Sequence, residues 1–296
     1  MQRRDFMLML AAGTVGALST QTLTAVAETA APTPYPTPLP PGRSTLAQKV
    51  VQPPTVKAAA QPNPAPTRNP LWLQDGPPNL PDPQPLDDLL TGLPEKVGNS
   101  VAITIDDGAS TEVVDALLDF SQVSGVRLTF FVTSCYSSWT DCRTKLLSLV
   151  ESGQVQLANH TVNHEDLTSL SEQDVVREVE GCEKFLRNTY GLTGAPFIRP
   201  PYGARDEWTD AVCAKLGYTT PTMWYGTFGD HRILTPEELL AEARNWLLAQ
   251  HIVIGHANLP TITHTFGGLV EILRERSLQT VTLDDVFFSP GHDRHV

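Results

Sequence analysis

Hydrophobic and polar positions along this chain follow two periods, and the switching between them outlines a strand–helix repeat. Val101, Ile103 and Ile105 alternate with Ala102, Thr104 and Asp106, the period-two pattern of a strand over 100–107. A helical pattern follows from Glu112 to Phe120, and the β-branched and aromatic run 126–134 predicts a buried strand. Arg143 to Ser152 is helical and stops at Gly153, and 155–159 is a short strand. Ser171 caps a helix carrying Val175, Val176, Val179 and Phe185. Strand then turn is expected at 197–203, helix at 206–216 and strand at 219–225. Thr235-Pro236-Glu237-Glu238 is a strong helix start. A strand over 251–256, a helix from Phe266 to Glu275 and a last strand from Thr280 to Leu283 complete the series. Repeated strand–helix units imply an α/β fold with parallel strands and right-handed crossovers.

Ahead of this pattern the composition changes. Of 25 prolines, 18 lie between Pro32 and Pro94. Proline with alanine, threonine and glutamine builds no packed core, so 28–97 is expected to be a disordered linker. Within it Trp72 and Leu73 either dock onto the domain or stay solvated. Residues 1–27 form an export signal: Arg3 and Arg4, an apolar run from Phe6 to Leu18, and small residues at Ala25 and Ala27. The run is shorter than the ~18 residues of a spanning helix, so the mature chain should not insert in a membrane. Arg3-Arg4-Asp5-Phe6 suggests twin-arginine export, with an ordinary secretory signal as the alternative. The folded domain is then 98–289 and 290–296 a flexible tail.

A net charge of -12 leaves no basic face for nucleic acid. Export permits disulfides. Cys135–Cys142 with Cys182–Cys213 is one of three pairings, and four buried thiols are the alternative.

Catalytic groups of parallel α/β folds gather beyond the carboxyl ends of the strands. Here those ends carry Asp106 and Asp107, His160 and His164, Arg199 and Tyr202, Trp224 and Asp230, and His256. Two adjacent carboxylates ending a buried strand need partners, and both can serve one site only if the chain turns at Gly108. His160 and His164 stand i, i+4, so one helical turn would put both imidazoles on one face. With one carboxylate they make a three-ligand metal set.

TIDDG (104–108), HTVNH (160–164), RPPYG (199–203) and GH (255–256) resemble, in order and rough spacing, the motifs of the polysaccharide deacetylases, the NodB-homology domains of carbohydrate esterase family 4. The resemblance spans residues 98 to 288. It implies a distorted (β/α) barrel of about seven parallel strands, fewer than the eight of a TIM barrel. It also implies metal-dependent deacetylation of a polysaccharide. By that resemblance Asp107, His160 and His164 hold a divalent metal, zinc first, with Co2+, Ni2+ or Mn2+ as alternatives. Asp106 is the general base paired with Arg199, and His256 is the general acid oriented by Asp230. Tyr202 supplies an oxyanion N–H and touches substrate, Trp224 walls the sugar site, and Leu283 closes the pocket.

The chain departs from the family pattern at Ile105, Pro200, Tyr225, Thr227, His231 and Ala257, so its groove is expected to have its own shape. The favoured reading is an exported N-deacetylase of N-acetylglucosamine-containing glycans such as peptidoglycan or chitin. An acetylxylan-type O-esterase and a non-catalytic glycan-binding exoprotein are the alternatives.

Overall fold

The computed structural model describes residues 69–288 apart from Pro77. The expected export signal, the first part of the proline-rich segment and the expected C-terminal tail lie outside the described residues. The described chain runs β1 (Ser100–Asp107), α1 (Thr111–Ser124), β2 (Leu128–Val132), α2 (Ser138–Asp141), α3 (Arg143–Glu151), β3 (Val155–Asn159) and α4 (Glu172–Tyr190). It continues with β4 (Phe197–Ile198), α5 (Glu207–Lys215), β5 (Thr220–Pro221), β6 (Gly226–Thr227), α6 (Pro236–Trp246), β7 (Ile252–His256), α7 (Phe266–Glu275), β8 (Gln279–Val281) and α8 (Leu283–Phe287).

Helix ends follow their local chemistry. Ser110 and Ser171 accept hydrogen bonds from the first turns of α1 and α4, and Gly125 and Gly191 close those helices in the left-handed conformation. Asp206 with Thr209, and Thr235 with Glu238, form reciprocal capping boxes.

The strands form one parallel sheet in the order β5-β4-β3-β2-β1-β7-β6, with β8 added beside the first residues of β1. Seven strands on one path curl into an incomplete barrel. Along β1 the period of two separates two cores. Val101, Ile103 and Ile105 pack outward under α1 and α7, against Val114, Leu118 and Leu269. Ala102 faces the barrel interior with Phe131, Ala158, Phe197 and Ile252, and Thr104 and Asp106 share that face by parity.

Three expectations change. The single strand expected at 219–225 is split: Thr222 N donates to Ile198 O, while Tyr225 N donates to Ile252 O. The chain there crosses the open side of the barrel, leaving one sheet edge and joining the other, so one straight ladder cannot form. The last strand ends at Val281, because Thr282 caps α8 and Leu283 is already helical. The four cysteines are free thiols, so the expected pairs Cys135–Cys142 and Cys182–Cys213 are not formed. Their positions explain this for the second pair: Cys182 packs in the large core beneath β2 and Cys213 in a separate cluster between α4 and α5.

Residues 69–97, expected to be linker, run over the domain with fixed partners. The Gln74 side chain brackets Thr280, accepting from its N (2.9 Å) and donating to its O (3.2 Å). Leu73 packs against the large core. Leu90 N donates to Pro221 O (3.0 Å), Met223 N donates to Leu90 O (2.7 Å) and Leu93 N donates to Gln250 O (2.7 Å). This strap spans the gap between β5 and the start of β7. Among the described residues no helix is long and apolar enough to cross a membrane.

Candidate active site

β1 ends in a turn that begins one residue before Gly108. Asp107 itself is left-handed, with φ 72°, and Gly108 follows at φ 100°. The turn brings both carboxylates to one place despite their opposite strand parity. Trp139, fully buried, braces it: its indole N–H donates to Asp107 O (3.0 Å) and Thr133 O (3.1 Å). A Cβ on Gly108 would come within 2.4 Å of that indole, so the position must be glycine.

The two acids have different partners. Asp106 Oδ1 accepts from Arg199 Nη1 at 2.6 Å. Arg199 is fully buried; Thr104 Oγ1 and the carbonyls of Thr222 and Met223 accept its other N–H groups, and the Phe131 ring lies 4.1 Å from its Cζ. Burial pulls the guanidinium down, and Asp106 opposes that. Asp107 Oδ1 lies 3.4 Å from both His160 Nε2 and His164 Nε2. Burial pushes the Asp107 carboxyl up, and the two imidazoles outweigh it and hold it well below the usual carboxylate range.

Asp107, His160 and His164 offer ligand atoms within 4.8 Å of one another. Two observations fit this set to a cation. Asp107 Oδ1 is buried and has no hydrogen-bond partner. His160 Nδ1 donates to the Arg199 carbonyl at 2.6 Å, so its Nε2 lone pair faces that same bare oxygen. Acceptors facing each other in a buried pocket require a proton or a cation between them.

The histidines do not sit on a helical turn as expected. They flank a loop in which Thr161 (φ 72°) and His164 (φ 60°) are both left-handed. The loop holds its shape because its N–H groups are taken: Asn159 Oδ1 accepts from Thr161 N (2.8 Å), and Glu178 Oε2 accepts from Val162 N (3.1 Å) and Asn163 N (2.7 Å). The rings still meet edge to face, 4.8 Å between centroids.

On the other side of β1, Asp106 pairs in register with His256 of β7. Asp230 accepts from His256 through both oxygens, from Nδ1–H at 2.8 Å and from the backbone N–H at 2.9 Å. Burial pulls the His256 imidazole down, and Asp230 outweighs it and raises its pKa above the ordinary value. Asp230 thus has His256 as a definite partner.

Tyr202 is 72% exposed and left-handed, with its ring against His164. Trp224 packs near Gly203 and Arg199. Leu283 is 0% exposed, its N–H donates to Thr129 Oγ1, and it packs in the interior cluster that holds Phe131 and borders Trp224. It opens α8 directly after β8, and Thr129 is in register with Thr104, two residues before Asp106. Ile254, two residues before His256, lies on the same strand face.

Sequence reasoning missed Trp139, Glu178 and Asn258. Glu178 carried one signal, a carboxylate inside the buried stripe of α4. Asn258 and Trp139 carried none, since their contacts are with β1 from 151 and 32 residues away.

Residues 94–221 match the family model for polysaccharide deacetylases, a span that includes both acids, both histidines, Arg199 and Tyr202 but neither Asp230 nor His256. Chitin deacetylase 1 of Cryptococcus neoformans is 33% identical over 43% of this chain and 26% of its own. The peptidoglycan-N-acetylglucosamine deacetylase PgdA of Listeria monocytogenes is 32% identical over 65% of this chain and 40% of its own. The chain therefore spans less than half the length of these two relatives. The Bc1960 peptidoglycan N-acetylglucosamine deacetylase shares the fold, with TM-score 0.61 and 20% identity over 68% of this chain and 94% of that one.

Proposed function

The chain belongs to the polysaccharide deacetylase family, and from that premise we propose that it is an exported enzyme that hydrolyses N-acetyl groups of N-acetylglucosamine-containing glycans, peptidoglycan or chitin-like, and releases acetate. One observation supports this most: Asp106 stands between the Asp107–His160–His164 donor set and, in register across the sheet, His256. A base and an acid thus flank a cation site.

When bound, a divalent cation at Asp107, His160 and His164, zinc before cobalt, nickel or manganese, would supply Lewis acidity to the acetyl carbonyl and to water. Asp106 takes the proton of the attacking water. Its Oδ1 is engaged by Arg199, so Oδ2 is the accepting atom. The water oxygen bonds to the acetyl carbon while the carbonyl oxygen gains charge, which the backbone N–H of Tyr202 would meet. The carbon–nitrogen bond then breaks as His256 delivers a proton from Nε2 to the departing amine. Asp230 holds the Nδ1 proton of His256, which fixes the ring and keeps Nε2 free for that transfer. Trp224 would wall the sugar.

The test is acetate release from peptidoglycan, chitin oligomers and acetylxylan by zinc-loaded protein, with Asp106→Asn beside wild type. Release from the first two is expected, falling by roughly 10²–10⁴ in Asp106→Asn while that variant keeps its zinc. No acetate from any substrate would sink the proposal; release from acetylxylan alone would replace it with O-esterase activity; loss of zinc in Asp106→Asn would exchange the two aspartates.

A further inference from the structure

The two oxygens of Asp107 live in different surroundings. Oδ1 is buried, lacks a hydrogen bond and faces both imidazoles. Oδ2 accepts from Asn258 Nδ2 at 2.6 Å. The other end of that amide is also engaged, since Asn258 Oδ1 accepts from Ala109 N at 3.0 Å. Only one amide orientation satisfies both contacts: the reverse would set oxygen against carboxylate and NH2 against N–H. The loop carrying Asn258 is laced to the same turn, with Ala257 N donating to Asp106 O (3.0 Å) and Ser110 N donating to Ala257 O (3.1 Å).

We propose that Asn258 is a positioning residue for the cation site: it clamps Oδ2 of Asp107 so that Oδ1 alone is presented, with His160 and His164, as the carboxylate ligand. The inference rests on the cation site proposed above. Two alternatives make poorer use of the geometry. A free carboxylate could rotate about its Cβ–Cγ bond and offer either oxygen or both, and each extra arrangement dilutes the one that matches the two imidazoles. Asn258 removes that freedom from a group whose backbone is already held left-handed. Because Asn258 is two residues beyond His256, one loop would position both the acid and the ligand.

The experiment measures the zinc dissociation constant of the full chain by competition with a chromophoric chelator, alongside the melting temperature of the metal-free protein. Asn258→Leu keeps the branched side-chain shape and removes both the donor to Asp107 and the acceptor for Ala109 N. Asn258→Ser is a second variant, polar but too short to span the gap, and decides alone if the leucine variant does not fold. Removal of an outer-shell partner of this kind typically weakens metal binding roughly 10- to 100-fold. That weakening is expected in both variants, with the metal-free melting temperature close to wild type. Zinc affinity within about twofold of wild type, in a folded variant, would overturn the role of Asn258 and leave the cation site standing. A wild-type chain that binds no zinc would overturn both. Equal losses of metal-free stability and of affinity would assign Asn258 to the fold alone and overturn the inference as well.

Discussion

Asp106 and Asp107 are chain neighbours whose surroundings differ oxygen by oxygen. The Arg199 guanidinium takes one oxygen of Asp106 and the Asn258 amide takes one oxygen of Asp107, and what is left over differs in kind. Asp106 keeps an oxygen near His160 for a proton, at 3.6 Å, while Asp107 keeps one bare for a cation. His256 makes a comparable division between its nitrogens. Its imidazole is pulled down by burial but raised overall by Asp230, so it stays charged above the ordinary pH of about 6.5 and loses its proton as pH rises through the raised value. If His256 is the general acid proposed above, it must be charged, and kcat/KM is expected to show an alkaline limb above pH ~6.5. Replacing Asp230 with Asn removes the raising partner, and that limb should move to lower pH. A limb that stays where it was, measured on an amide substrate, would remove Asp230 from its role. The same linkage makes the His256 contribution to stability complete below the ordinary imidazole pKa and absent above the raised one.

At the scale of elements, the ligand loop between β3 and α4 depends on a helix that never touches the chemistry. Glu178 is buried on α4 and accepts from Val162 N, Asn163 N and Asn163 Nδ2, the last at 2.7 Å. A charge-assisted cluster of this kind holds the two left-handed residues that aim the imidazoles. Glu178→Ala would leave those donors unpaired and cost about 2–4 kcal/mol of stability. It should also weaken zinc binding, since both histidines ride on the loop. Urea denaturation of the metal-free and zinc-loaded protein would measure both effects. A stability change below about 0.5 kcal/mol, the range of an ordinary surface substitution, would show that the loop holds itself. The cysteines belong to the same scale. Cys182 lies under β2 with its thiol on the Val132 carbonyl (3.2 Å), and burial pushes it up to about 12. It acts as a small apolar group of the α4 stripe.

For the whole molecule, the decisive feature is the open side of the barrel. The sheet ends at β5 and β6, and the strap through Leu90 and Leu93 hydrogen-bonds across the gap while burying both side chains and Val97. A chain beginning at residue 98 would lose that bridge. It should melt well below a chain beginning at residue 69, because deleting even one buried leucine side chain costs about 2–5 kcal/mol. Circular dichroism melts of the two would decide, and equal melting temperatures would return 69–97 to the status of a spacer. The alternation in 100–107, the helix caps at Ser171 and Thr235 and the order of polar clusters are local signals, and they carried the parallel α/β plan and most of the site: Asp106, Asp107, His160, His164, Arg199 and His256. Local signals work there because a strand has a fixed period and a motif keeps its residues a few positions apart. What the tertiary structure alone decided lies across long separations. The strap looked like a spacer because its prolines suppress helix and strand patterns, yet its few leucines find a core made by others. Leu283 reaches Thr129 across 154 residues and packs with Phe131 and Phe197, contacts that no short apolar string announces. Asn258 and Glu178 became visible only when folding set them against Asp107 and the histidine loop, because a hydrogen bond is a matter of distance in space and leaves no period in the chain.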